Sequence, residues 1–282
     1  MERELHSRLV ELPFKAVLIQ CLDENNNVIK GAYGSGCILK EEDGFFLYTC
    51  WHVVTGYDPN NLKVKEPPRR KKLKVLFQGC DLTLSVGEVV GGLQEIIVEL
   101  YENSSDGSFP LWCQDEKDRP QPDLNAINIR VPFWHDAVKI QLPETTQVSD
   151  LQCIKRAGLL VTPTLLPAPG DRIWIVGFPY GFSATGDSQP TPIVLTRYLA
   201  SDRMEGRHRE MLIESIGAPG MSGGPVFIDR GNEVKLLGLY SGLLFPDYVV
   251  ERNNEHTALG TCINMMLCWE GVLGLMPVSR II

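Results

Sequence analysis

Apolar positions along the chain fall in short runs, many alternating with period two and all broken by turn residues, which is the signature of strands. FKAVLIQCL (residues 14–22), the run from Val28 to Leu39 after the turn Asn25-Asn26-Asn27, and FFLYTC (45–50) after Glu42-Asp43-Gly44 come first. LKVLFQ (73–78), LTLSVGEVV (82–90), IIVELY (96–101) and AVKIQL (137–142) continue the pattern. From about residue 160 a second β-rich stretch reads LLVTPTL, RIWIVGF, IVLTRYLA, MLIESI, PVFID, KLLGLYSGLL and TALGTCIN. Helical spacing shows at the two ends: Leu5, Leu9 and Leu12 stripe a short helix over 1–12. NMMLCWEGVLGL (264–275) begins with an Asn able to cap a helix, so a C-terminal helix is predicted there. The polar, Pro-bearing segments 103–123 and 181–192 read as long surface loops.

About a dozen short strands in two halves predict an all-β fold of two antiparallel six-stranded β-barrels with the C-terminal helix added. The N-terminal barrel is expected over 1–155, with 103–123 as an inserted loop, and the C-terminal barrel over 156–282.

Composition narrows the function. The 282 residues are 44% hydrophobic and 22% charged, which allows a real core and excludes a disordered or fibrous chain. Twenty-seven Lys and Arg against 35 Asp and Glu leave a net charge of −8, so no nucleic-acid partner is expected. The opening MERELHSRLVELPFK lacks the apolar run of a signal peptide, and AVLIQCL (16–22) falls far short of the ~20 residues that cross a bilayer. A cytoplasmic protein that does not meet a membrane is expected. Cysteines 21, 37, 50, 80, 113, 153, 262 and 268 include no CxxC pair and no zinc spacing, so they read as reduced, part-buried thiols.

The chemistry concentrates in three places. In Gly220-Met221-Ser222-Gly223-Gly224-Pro225, glycines on both sides of Ser222 permit positive φ, leave the hydroxyl uncrowded and let backbone N–H groups turn inward as an anion-binding nest. An acyl-transfer nucleophile needs this. His52, in Tyr48-Thr49-Cys50-Trp51-His52-Val53-Val54, ends a β-run; an imidazole, with an ordinary pKa near 6.5, can accept a serine proton at neutral pH. Asp136, heading the alternating run Ala137 to Leu142 behind aromatic residues, can orient the imidazole. Asp81, at a hairpin turn, is the rival acid.

The order His52, Asp136, Ser222 belongs to one of the known triad arrangements. On GSGCIL (34–39), TCWHVV (49–54), HDAVKI (135–140), GDRIWIVGFPYG (170–181), GMSGGPVF (220–227), LLGLYSG (236–242) and LGTCIN (259–264), the sequence resembles the chymotrypsin-like serine peptidases. Among them it looks most like the HtrA/DegP-type and other bacterial intracellular members, here without a PDZ domain. The resemblance implies a cofactor-independent endopeptidase that acts on proteins or peptides through Ser222, His52 and Asp136, with no metal. It further implies oxyanion donors at Gly220 and Ser222, and Ser241 supporting the aspartate. The walls of the substrate pocket match Ile216, Gly217 and Ala218, then Ser241, Gly242 and Leu243, then Gly260 and Thr261. No acid occurs among these, so apolar residues are expected to enter the pocket unless Asp247 or Glu251 folds back into it.

The sequence also departs from the family. Met221 stands where secreted members carry the aspartate that pairs with a new N-terminus, so activation by that route is not expected. Restraint by a regulatory protein partner, in a stress or defence setting, is the implied alternative. An inactive or gated binding module on the same fold and an esterase using the same three residues are the competing readings. The basic cluster Lys63, Lys65, Arg69, Arg70, Lys71, Lys72 and Lys74 reads as a solvated loop, with a docking patch for an acidic partner as the alternative. Lys74 to Gly79 resembles a viral protease recognition sequence, a coincidence in a strand-forming stretch.

Overall fold

Turn chemistry organises the first strands. Asp23 accepts the N–H groups of Asn25 and Asn27 at 2.8 Å each, and Asn26 takes φ +63° between them, so β1 (Val17–Leu22) returns as β2 (Val28–Glu41). Gly44, at φ +134°, turns β2 into β3 (Gly44–Thr49), and the chain then makes one short helix, α1 (Trp51–Thr55). The computed structural model describes residues 9–57, 70–78, 83–85, 88–90, 93–102, 109–114, 136–155, 167–181, 192–205, 208–214, 218–230, 233–244, 263–268 and 276–277.

The first half continues through β4 (Lys72–Gln78), β5 (Thr83–Ser85), β6 (Glu88–Val90), β7 (Leu93–Glu99), β8 (Tyr101–Glu102), β9 (Phe109–Pro110), β10 (Trp112–Gln114), β11 (Val138–Gln141) and β12 (Cys153–Lys155). The second half holds β13 (Arg172–Gly177), β14 (Ile193–Glu205), β15 (His208–Glu214), β16 (Pro225–Arg230), β17 (Glu233–Leu244) and β18 (Ile263–Cys268), followed by β19 (Met276–Pro277). The chain is all-β in two antiparallel units, as the sequence predicts. One is a nine-stranded sheet in the order β19-β10-β11-β3-β2-β1-β4-β7, with β12 added in parallel beside β2. The other is a closed barrel, β13-β14-β15-β18-β17-β16, and closure leaves it without an edge.

Alternate residues of the same strands serve two cores. Val17, Ile19, Cys21, Ile38 and Leu47 face the interior of the first unit together with Leu73, Val75 and Phe77. Their neighbours Leu18, Cys37, Leu39 and Tyr48 face the other way and pack with Trp174, Val176, Phe227 and Leu239 of the second unit. A third cluster, including Ile173, Ile175, Met211, Val226 and Ile228, fills the barrel. Strands buried on both faces explain why VLIQCL and GCILK read as nearly continuous apolar runs.

Several expectations are corrected. Residues 264–268 of the predicted C-terminal helix are strand: β18 pairs with β15 (Glu214 opposite Ile263) and with β17 (Gly238 opposite Cys268). Two ladders that close a barrel outweigh a weak local helical preference. Met276 and Pro277 then pair with Gln114 and Cys113 of β10, so the chain returns to the first unit. The segment 103–123 is not wholly loop, since β9 and β10 lie in it and Trp112 is buried. LTLSVGEVV is a hairpin with Ser85 opposite Glu88, not one strand. Leu12–Lys15 forms a 3-10 turn, which takes Phe14 and Lys15 out of the predicted strand. The start of the predicted N-terminal helix, most of 181–192, LLVTPTL and the onset of TALGTCIN lie outside the described residues.

Two glycines separate conformational strain from close approach. Both have positive φ, Gly31 at +78° and Gly223 at +84°. A Cβ on Gly31 meets nothing within 4 Å, whereas one on Gly223 would overlap the Ser35 carbonyl oxygen and the Thr49 hydroxyl. Gly31→Ala is expected to cost about 1 kcal/mol of strain, or about 2–4 °C in Tm. Gly223→Ala is expected to lower Tm at least three times as far in the same calorimetric scan. Equal shifts would show that the two units do not meet this tightly.

Candidate active site

His52 is carried by α1, whose length is set at both ends. Cys50 is extended before it, and Gly56, left-handed at φ +81°, ends it by donating its N–H to the His52 carbonyl at 2.9 Å. Arg70 Nη1 donates to the same carbonyl at 2.9 Å and also to that of Val53. Trp51, Val53 and Val54 are buried, while the His52 side chain keeps 27% exposure.

Asp136 lies just before β11 and is only 1% exposed. Its Oδ1 accepts the His52 backbone N–H at 2.9 Å, and its Oδ2 accepts the Ser241 hydroxyl at 2.8 Å and lies 2.6 Å from His52 Nδ1. A carboxylate only accepts, so Nδ1 carries a proton, and in the neutral imidazole this tautomer leaves Nε2 as the acceptor. Cys50 closes the back of this group, its Sγ donating to the Tyr240 carbonyl at 3.3 Å. Burial, and then the adjacent Asp136 charge, push the Cys50 thiol well above its ordinary value. Ligand atoms of Cys50, His52 and Asp136 lie within 4.8 Å of one another. The 2.6 Å contact of imidazole and carboxylate leaves no room for an ion between them, and the thiol is protonated, so the trio does not suit a metal.

Ser222 lies in the turn 218–224, where Gly220 takes φ +94° and Gly223 φ +84°. Met221 N–H donates to the Ala218 carbonyl at 3.2 Å, Gly223 N–H to Tyr240 at 2.8 Å and Gly224 N–H to Met221 at 2.9 Å. The intervening N–H groups of Gly220 and Ser222 take no acceptor among the described residues. A Cβ on Gly220 would overlap the Phe178 carbonyl and lie 2.9 Å from the Tyr33 ring, so only glycine fits. Ser222 Oγ donates to the Ser241 carbonyl at 3.3 Å and makes no hydrogen bond to His52. Ser241 thus holds Asp136 with its side chain and Ser222 with its main chain.

Of the residues singled out in the sequence, the structure brings His52, Asp136, Gly220, Ser222 and Ser241 together, with Gly242 beside Ser222 and Ala218 at the start of the turn. Leu243 continues β17. Ile216, Gly217, Gly260, Thr261, Asp81, Asp247 and Glu251 lie outside the described residues. Met221 is buried at 1% exposure in the barrel core.

The basic cluster needs correction where it is described. Lys72 pairs with Glu99 at 3.0 Å and Lys74 with Glu95 at 2.5 Å across β4 and β7, Lys71 lies 5.6 Å over the Tyr101 ring, and Arg70 braces α1. Sequence reasoning missed Arg70, Cys50 and Ser35. Arg70 was hidden among like charges. Cys50 and Ser35 stand inside motifs already noted, and a polar residue between apolar strand positions was the available signal.

No family model matches the chain, and no curated protein sequence matches it. Among solved structures it is similar to the Rv3671c protease from M. tuberculosis in its active form, with 15% identity and a TM-score of 0.47 over 96% of this chain and 86% of that one. It is also similar to the inactive form of the Rv3671c protease, with 13% identity and a TM-score of 0.44 over 96% of this chain and 92% of that one.

The thiols supply a prediction. Burial raises Cys37 and Cys50 above the ordinary 9.0, so both stay protonated in the fold while the unfolded chain ionises them. Their contribution to stability is complete below about pH 9 and is lost as pH rises beyond it. At pH 8.5 both are expected to resist iodoacetamide in native protein and react fully in urea, read by peptide mass mapping. Rapid labelling of Cys50 in native protein would show that the carboxylate's back wall is open.

Proposed function

We propose that the chain is a serine endopeptidase in which Ser222 attacks the peptide carbonyl, His52 moves the proton and Asp136 orients His52. The observation that carries this reading is the bonded set Ser241–Asp136–His52, held beside Ser222 in a turn with two unclaimed N–H groups. Asp136 keeps the proton on Nδ1, so Nε2 is the atom that can take the Ser222 hydroxyl proton once Oγ turns away from the Ser241 carbonyl. The carbonyl oxygen becomes an oxyanion and takes the N–H groups of Gly220 and Ser222. His52 then returns the proton to the leaving amine, and water releases the acyl group by the same steps. No cofactor enters this chemistry. Ala218, Ser241, Gly242 and Leu243, the described part of the expected pocket, are uncharged residues, which favours small or medium apolar residues before the scissile bond. A cytoplasmic peptidase needs restraint, and control by a protein partner is the form we propose.

One observation favours a second reading, a gated module on the same fold: Ser222 Oγ bonds the Ser241 carbonyl instead of His52. Fluorophosphonate labelling separates the two, since only an aligned set acylates. Labelling is expected in the wild type and none in Ser222→Ala. Asp136→Asn is expected to lower turnover by about 10⁴ through the wrong tautomer. A wild type that does not label, or an Asp136→Asn variant within tenfold of it, would overturn the assignment. In a peptide library, dominant cleavage after Arg or Lys would place an acid in the pocket that the three wall segments lack.

A further inference from the structure

We propose that Ser35, on β2 of the first unit, is a positioning residue that holds the peptides Gly220–Met221 and Ser222–Gly223, and so preserves the alternation in which the N–H groups of the neighbouring peptides, those of Gly220 and Ser222, stay turned toward the substrate; the inference rests on the serine peptidase reading above. Ser35 is wholly buried. Its N–H donates to the Ser222 carbonyl at 2.8 Å, and its hydroxyl donates to the Gly220 carbonyl at 2.6 Å while accepting the Phe178 N–H at 2.9 Å. Thr49 Oγ1 donates to the Ser35 carbonyl at 2.7 Å and fixes the strand from which this clamp reaches.

Peptide planarity turns these contacts into control of direction. Within one peptide the C=O of a residue and the N–H of the next point opposite ways, so holding the carbonyl fixes the N–H. Tyr180 N–H holds the Pro219 carbonyl at 2.5 Å and aims Gly220 N–H. Gly224 N–H holds the Met221 carbonyl at 2.9 Å and aims Ser222 N–H. The two peptides between and after these are held by Ser35 through the Gly220 and Ser222 carbonyls. Gly220, at φ +94°, has no Cβ to resist rotation, and inside the turn the Gly220–Met221 peptide is held by the 3.2 Å bond from Met221 N–H to the Ala218 carbonyl, so the 2.6 Å bond from the Ser35 hydroxyl is its shorter grip. Packing leaves room for the grip: a Cβ on Gly177 would lie 2.7 Å from Ser35 Oγ, and one on Gly223 would overlap the Ser35 carbonyl. The same hydroxyl joins the Phe178 backbone to the Gly220 backbone, so one side chain ties the turn that carries the two N–H groups to the segment whose Tyr180 N–H holds the Pro219 carbonyl.

The test compares Ser35→Ala with wild type and with Val98→Ala, a change in the core of the first unit, in a cluster that contains no residue of the turn, that lowers stability. Three quantities are read: kcat and KM on a chromogenic peptide ester, and Ki for a peptide trifluoromethyl ketone, which forms a tetrahedral oxyanion on the nucleophile. Ser35→Ala is expected to lower kcat about a hundredfold, the size of losing one oxyanion donor. KM should stay within threefold, and the ketone should weaken in parallel with kcat. Val98→Ala should leave all three within threefold. Should Ser35→Ala not fold, Ser35→Cys keeps a weak donor and is expected to show a smaller fall in kcat with the same parallel weakening of the ketone. A kcat within threefold of wild type, or a loss of kcat without weaker ketone binding, overturns the clamp in either variant. A wild type that neither cleaves the ester nor labels with phosphonate refutes the peptidase reading itself.

Discussion

A charged carboxylate buried where two β-units meet is the constraint around which the rest is arranged. Removing Asp136 from water costs several kcal/mol unless protein donors replace the water. Three donors do so: the backbone and ring of His52 from the first unit and the Ser241 hydroxyl from the second. Neither unit supplies the set alone. The solvation requirement of one side chain therefore dictates how α1, the start of β11 and the end of β17 must align, and the alignment brings an imidazole beside a serine.

Apolar packing supplies the force for that alignment but not its precision. The cluster that joins Leu18, Leu39 and Tyr48 to Trp174, Phe227 and Leu239 is non-directional and tolerates small slides. Register comes from the hydrogen bonds at its margin, where Ser35 bonds Gly220, Ser222 and Phe178 and Cys50 bonds the Tyr240 carbonyl across the two units. Gly223 permits the approach, because a side chain there would overlap the opposite unit's carbonyl. Hydrophobic burial holds the halves together, and polar atoms determine which of many similar contacts is adopted.

The same division explains what was legible in the sequence. Strands with turn residues at their ends were readable because local chemistry, such as Asp23 with Asn25 and Asn27, makes them. Ser222 between glycines and Asp136 at a strand head were readable as candidates because their needs appear in adjacent residues. The C-terminal segment was misread because Ile263–Cys268 gets its strand form from β15 and β17, partners about 50 and 20 residues away in sequence. Arg70 shows the same limit: one guanidinium in a basic run reads as solvated, and nothing local tells that it ends at the His52 and Val53 carbonyls.

The Ser241 hydroxyl bonds Asp136 and its carbonyl takes the Ser222 hydroxyl, so one residue at the seam touches the carboxylate that orients the His52 ring and the Ser222 oxygen at once. A displacement of β17 relative to α1 would lengthen the first contact, while the second would travel with β17, because Gly223 N–H on the Tyr240 carbonyl and Tyr240 N–H on the Gly224 carbonyl tie the turn to that strand. The Ser222 hydroxyl rests on a backbone acceptor while the His52 ring is already oriented by Asp136, so on the proposed chemistry a single bond rotation of Ser222 separates this arrangement from the reactive one. On the proposed chemistry, control of such a site would require no large rearrangement: a group that competes for the Ser241 carbonyl would act directly on that rotation.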